Sequence, residues 1–260
     1  MAVRTSTGAR ARVGAATLRR DRWWVEPLVT LLVLLAFVIY SSWVAFSQRD
    51  YFADPYLSPF YSPCLAANCI EPTWDVFGSW WKLSPALIIL PIPLGFRLTC
   101  YYYRKAYYRS FWLSPPACAV GEPHKKYTGE TRFPLVIQNF HRYFFYLAAV
   151  VLAINLYDAI HAHMPEDGGF GFGLGNAIIW VNWLMLAGYT LSCHACRHVV
   201  GGRLKHFSKH PLRYRFWTFV SKLNARHGTF AMISLFTVIA TDAYIMAVSA
   251  GWFTDPRFIN

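Results

Sequence analysis

Charge is scarce in this sequence. Asp, Glu, Lys and Arg supply 15% of its 260 residues, against about 25% in an ordinary soluble domain. With 55% hydrophobic and 18% aromatic content, the chain is too apolar for a solvated globular fold. It has no internal repeat at solenoid spacing and no low-complexity tract, so repeat scaffolds and disordered linkers drop out. Acid is the scarcer sign, with 13 Asp and Glu against 25 Lys and Arg. An excess of base serves nucleic acid or marks the cytoplasmic loops of a membrane protein, and its placement decides between them.

What is there in quantity is long apolar sequence. Segments 24–46, 77–98, 136–157, 174–194 and 227–250 are each long enough to cross a bilayer core, which takes roughly 20 helical residues. In the second, "PALIILPIPLGF" carries Pro85, Pro91 and Pro93; these predict a kinked rather than a terminated helix. No small-residue cleavage site follows the first segment, which reads as a retained signal anchor. The eleven Trp and sixteen Tyr suit the aromatic belts of membrane interfaces. The expectation is an all-α integral membrane bundle of five helices, with residues 1–23 a basic arm and residues 24–260 the anchor domain.

The basic residues sort by connection. They fill the N-terminal arm, the stretch from Arg97 to Arg142 and the stretch from Arg197 to Arg226, leaving only Arg49, Lys82 and Arg257 for the opposite side. The positive-inside rule then predicts a cytoplasmic N-terminus and an external C-terminus, and a nucleic-acid partner is excluded. Residues 47–76, on the external side, hold Asp50, Asp54, Glu71 and Asp75. Cys64 and Cys69 lie there too, and an oxidising compartment makes them a predicted disulfide, two free thiols being the alternative. Cys118 reads as a plain thiol.

On this topology the predicted cytoplasmic helix ends bring together Cys100, His141, the cluster of "LSCHACRHVV" from Cys193 to His198, and His227. The absence of carboxylates among them disfavours magnesium and calcium; Cys and His suit zinc, haem or iron–sulfur. On a helix Cys193 and Cys196 share one face and His194 and His198 another. Two Cys with two His is the ligand set of a Rieske-type [2Fe–2S] centre. The alternating Cys-x-His and Cys-x-x-His boxes are missing, and Cys196-Arg-His198 supplies half of one. Bis-His haem b on His141 and His227 is a second reading, with His161 and His163 as outer candidates in a solvated loop. A zinc staple is a third. Asp242, Lys82 and Asp158 fall at membrane depth, where an ionisable group is a functional candidate; a proton relay and a helix-pinning ion pair both remain open.

The stretches "NFHRYFFY", "SCHACRH" and "NARHGTF" resemble the membrane-anchor (cytochrome b-type, SdhC) subunit of succinate dehydrogenase, respiratory complex II, over essentially the whole chain. The resemblance is to the actinobacterial, mycobacterial type in its haem-free subclass. It implies the bacterial plasma membrane, a Rieske-type [2Fe–2S] cluster, flavoprotein and iron–sulfur subunits docked on the cytoplasmic face, and menaquinone as acceptor. A higher oligomer of the complex is compatible with it. The ligands it implies are Cys193, Cys196, His141 and His227, with Cys100, His194 and His198 as substitutes. Arg142, Tyr143 and Arg226 are the candidate quinone contacts. A transporter is the rival of another class, weakened by the lack of paired inverted halves.

Overall fold

The computed structural model describes residues 22, 24–64, 83–104, 131–133, 135–165, 168–202 and 204–259. Lys82, Cys69, Cys118 and almost all of the N-terminal arm lie outside the described residues. The chain is built on helices α1 (Val25–Ser47), α2 (Pro85–Ile89), α3 (Pro91–Thr99), α4 (Tyr101–Arg104), α5 (His141–His161), α6 (Leu174–Leu191), α7 (His194–Gly201), α8 (Pro211–Asn224) and α9 (His227–Ser249). A 3₁₀ turn, Leu135–Phe140, leads into α5. Among the described residues, Val25–Ser47, Val136–His161, Leu174–Leu191 and His227–Ser249 are long and apolar enough to span a bilayer.

The remaining predicted segment, 77–98, is described only from Leu83 onward. There it forms α2 and α3, which run on through a helical Leu90. Backbone bonds from Leu90 N–H to Ala86 and from Leu94 N–H to Leu90 bridge the junction. Pro85 opens α2, where a missing N–H costs nothing, whereas Pro91 follows the helical Leu90 and forfeits one bond of the junction. The described apolar stretch, Pro85–Thr99, is shorter than the four spans.

α1 shows why a bilayer is the solvent. Thr30, Leu34, Phe37, Ser41 and Val44 follow helical spacing and face inward. The opposite side is equally apolar, with Leu32 54%, Ile39 62% and Phe46 61% exposed. Water would penalise that surface, whereas lipid does not. The inward hydroxyls are satisfied within the helix, Thr30 donating to the Glu26 carbonyl at 2.9 Å and Ser41 to that of Val38 at 3.2 Å.

α6 and α9 form the most extensive helix pair. They meet closely because Gly188 offers no side chain to Phe230; a Cβ there would come within 2.6 Å of the ring. Gly188→Val is expected to destabilise the subunit by about 1–3 kcal/mol through overpacking, read as earlier thermal unfolding of the purified complex. A small residue tolerated at wild-type stability would show that the helices separate freely.

Two short antiparallel ladders add to the all-α expectation. β1 (Phe52–Ala53) pairs with β2 (Tyr56–Leu57), and β3 (Phe172–Gly173) pairs with β4 (Arg257–Ile259). The second ladder ties the C-terminal segment to the start of α6. There Asp255 accepts hydrogen bonds from the Gly175 N–H and from Tyr56 and Tyr244, while Pro256 accepts from the Leu174 N–H. A carboxylate at a helix N-terminus satisfies orphan donors and the helix dipole together.

Candidate metal centre

The C-terminal ends of α3 and α6 and the N-terminal ends of α5 and α9 surround a cavity of about 180 Å³ lined by Cys100, Tyr101, Tyr102, His141, Cys193, His194, His227 and Gly228. Four of these side chains form two crossed pairs. His141 Nε2 lies 3.0 Å from Cys193 Sγ, and His227 Nε2 lies 3.2 Å from Cys100 Sγ. Each imidazole lies flat on an aromatic ring, His141 on Phe96 at 4.9 Å and His227 on Tyr189 at 5.1 Å between centroids.

Hydroxyl groups hold the far side of both rings. Thr99 Oγ1 is 2.9 Å from His141 Nδ1 and Ser192 Oγ is 2.7 Å from His227 Nδ1. Thr99 donates its own proton to the Gly95 carbonyl, and Ser192 donates to that of Tyr189. With its proton on the carbonyl, each hydroxyl presents a lone pair to the ring, an arrangement that favours the Nδ1–H tautomer with Nε2 unprotonated. Nε2 is then free to accept a thiol proton or to bind a metal.

Local chain geometry aims the cysteines. α6 ends at Leu191, earlier than the predicted 194. Cys193 is the extended N-cap of α7, accepting from the Ala195 N–H at 3.3 Å. It is thus turned out of helical register with Cys196, which lies inside α7 and does not line the cavity. The shared helical face expected for Cys193 and Cys196 is corrected accordingly. Cys100 occupies the break between α3 and α4 and is extended in the same way. Burial pushes the Cys193 thiol up to about 12. It raises the Cys100 thiol too, against the pull of the neighbouring Tyr189 hydroxyl and the Arg97 charge. Without a metal both thiols stay protonated at neutral pH, so metal binding must displace their protons.

Other predicted residues fall apart from this site. Among the substitutes His194 lines the cavity and His198 does not. Arg142 and Arg226 are exposed and Tyr143 is 63% exposed, and none of them lines the cavity. His161 ends α5, exposed and stacked on Tyr157. His163 is not solvated as expected. Its Nε2 accepts from Trp180 Nε1–H at 2.8 Å and its Nδ1 faces the Gly171 carbonyl at 3.0 Å, so both nitrogens serve the fold. Asp242 is fully buried and accepts from Tyr40 at 2.6 Å and from Ser58. Asp158 accepts from Ser62. Cys64 is disulfide-bonded. Among the described residues no group of three or more His, Cys, Asp and Glu side chains is arranged to hold a metal ion.

Sequence reasoning missed Thr99 and Ser192. A signal was present: each site cysteine is preceded by a hydroxyl residue, Thr99-Cys100 and Ser192-Cys193. It missed Arg97 and Tyr189 as well, both buried beside the site.

Residues 25–251 match the family described as actinobacterial succinate dehydrogenase subunit SdhC. A search of curated proteins finds no match. Among solved structures, the chain is similar to one from the Mycobacterium smegmatis Sdh1 complex in the apo form, with 58% identity and a TM-score of 0.83 over 97% of this chain and 98% of that one. A match along most of the sequence, joined to a bundle of membrane-spanning helices, places the chain in the actinobacterial SdhC family, as a multi-pass plasma-membrane subunit that associates with the other subunits of succinate dehydrogenase.

Proposed function

We propose that this subunit both anchors succinate dehydrogenase and carries electrons from the soluble iron–sulfur subunit towards menaquinone, with a Rieske-type [2Fe–2S] cluster held at the inner cavity. The observation that carries the reading is the crossed pair of Cys/His couples around one buried space. A Rieske-type group needs two Cys at one iron and two His at the other, and the two couples together supply both sets, Cys100 with Cys193 and His141 with His227. A tetrahedral zinc staple needs four donors around one point. Haem would need a far larger space than about 180 Å³, since pockets for drug-sized ligands already run to roughly 300–1,000 Å³.

Cys100, His141, Cys193 and His227 would hold the cluster, Cys100 taking the place the sequence reading gave to Cys196. When bound, such a centre supplies a one-electron relay whose potential His ligation raises above that of an all-Cys cluster. The chain's own residues supply the rest. Thr99 and Ser192 orient both imidazoles, and Phe96 and Tyr189 fix the ring planes. The basic connections put this face in the cytoplasm, where the flavoprotein and iron–sulfur subunits would dock, with the segment around α2 and α3 as a fifth span. Arg142, Tyr143 and Arg226 sit at the cavity's end of the bundle as contacts for a quinone headgroup or for lipid.

The test is a paired optical and electron paramagnetic resonance spectrum of the dithionite-reduced complex. A reduced [2Fe–2S] signal of low average g, without haem bands, is expected, and it should disappear when His141 and His227 are both changed to alanine. Haem bands without that signal, or zinc with neither, would overturn the reading.

A further inference from the structure

Arg97, in the last turn of α3, is 3% exposed. Its guanidinium donates to the Tyr103 hydroxyl at 2.9 Å, the Ala231 carbonyl at 3.0 Å and Ser234 Oγ at 3.0 Å. It also sits over the Tyr189 ring at 4.7 Å and the Phe37 ring at 5.5 Å. Every one of these partners is neutral, and among the described residues no carboxylate forms an ion pair with it. A cation buried without a counter-ion is costly, and pinning α3 to α9 does not require a full charge.

The surroundings supply a use for that charge. Tyr189 lies between Arg97 and the site, its ring 4.7 Å from the guanidinium and 5.1 Å from the His227 ring. The positive charge is thus one aromatic ring from His227 and three residues along the chain from Cys100. Reduction of a centre held by two thiolates and two neutral imidazoles adds one electron, hence one unit of negative charge, with no proton uptake needed. The electron comes from the iron–sulfur subunit in the complex, or from dithionite in a titration.

Resting on the cluster reading above, we propose that Arg97 is the fixed counter-charge of the Cys/His centre and sets its reduction potential. At an effective dielectric of about 20, unit charges about 10 Å apart shift an equilibrium roughly tenfold.

The test is a redox titration of the intact complex followed by paramagnetic resonance, for wild type, Arg97→Gln, Arg97→Lys and Ser234→Asp. Arg97→Gln is expected to weaken reduction about tenfold, a midpoint lower by about 59 mV for a one-electron couple. Arg97→Lys, which keeps the charge, should stay near wild type. Ser234→Asp sets a carboxylate against the guanidinium and should lower the midpoint in the same direction. It decides the matter should Arg97→Gln fail to assemble. An unchanged midpoint in variants with a full signal overturns the role of Arg97 alone. A wild-type complex with no [2Fe–2S] signal overturns the cluster reading, and this inference falls with it.

Discussion

Cys100→Ala is expected to reduce the iron held at the membrane centre by roughly tenfold or more, whereas Cys196→Ala leaves it nearly unchanged. Loss of a mere supporting contact at a metal site costs about 10–100-fold in affinity, and in the proposed centre Cys100 is itself a donor. Its sulfur lies 3.2 Å from His227 Nε2 and lines the cavity; that of Cys196 does not line it. Both side chains are small and buried, so truncation creates a cavity of similar size in each, and the contrast isolates ligation from packing. Iron content per complex and the integrated [2Fe–2S] signal are the readouts. The reverse pattern, with Cys196 essential and Cys100 dispensable, would restore the ligand pair suggested by Cys193-x-x-Cys196. Cys193→Ala should match Cys100→Ala, because the two occupy equivalent places in the crossed arrangement.

Asp242→Leu is expected to destabilise the subunit by about 2–4 kcal/mol, since it strands two hydroxyls in the bundle. The carboxyl group is fully buried and joins α1, α9 and the segment after β2 by accepting from Tyr40 and Ser58. Asp242→Asn keeps an accepting carbonyl and should retain most of the stability and the succinate–quinone turnover. Thermal unfolding and turnover of the same preparation separate the two roles left open by the sequence. A stable Asp242→Asn complex with turnover down tenfold would make this carboxyl a proton carrier rather than a brace.

The spans were legible because lipid imposes a crude requirement, a run of apolar residues of a given length. Four of the segments expected from that requirement are helices within a few residues of their predicted limits. The stretch around Pro85, Pro91 and Pro93 was expected to form one kinked helix; its described part forms α2 and α3, which meet at Leu90 and together are shorter than a span. The site was legible in its residue types and less so in its grouping. Periodicity treats residues 191–198 as continuous helix, so it aligns Cys193 with Cys196. The break at Ser192 rotates Cys193 toward His141 instead, and such a break depends on tertiary packing that a single sequence does not display. Asn224, for instance, reaches from α8 to donate to the Ser192 carbonyl at 2.6 Å. His163 was misjudged for a related reason. Its partner Trp180 is 17 positions away, and nothing local marks the pair.

The crossing of the two Thr/Ser-Cys dipeptides also bears on how the subunit matures. Each dipeptide steadies one imidazole with its hydroxyl and offers its sulfur to the other, so the arrangement is complete only once the C-terminal ends of α3 and α6 have met the N-terminal ends of α5 and α9. A chain missing α9 would keep only the His141–Cys193 couple, and one missing α5 only the His227–Cys100 couple. If the proposed cluster is held there, its loading would act as a checkpoint on bundle assembly, since the full donor set exists only in the assembled bundle.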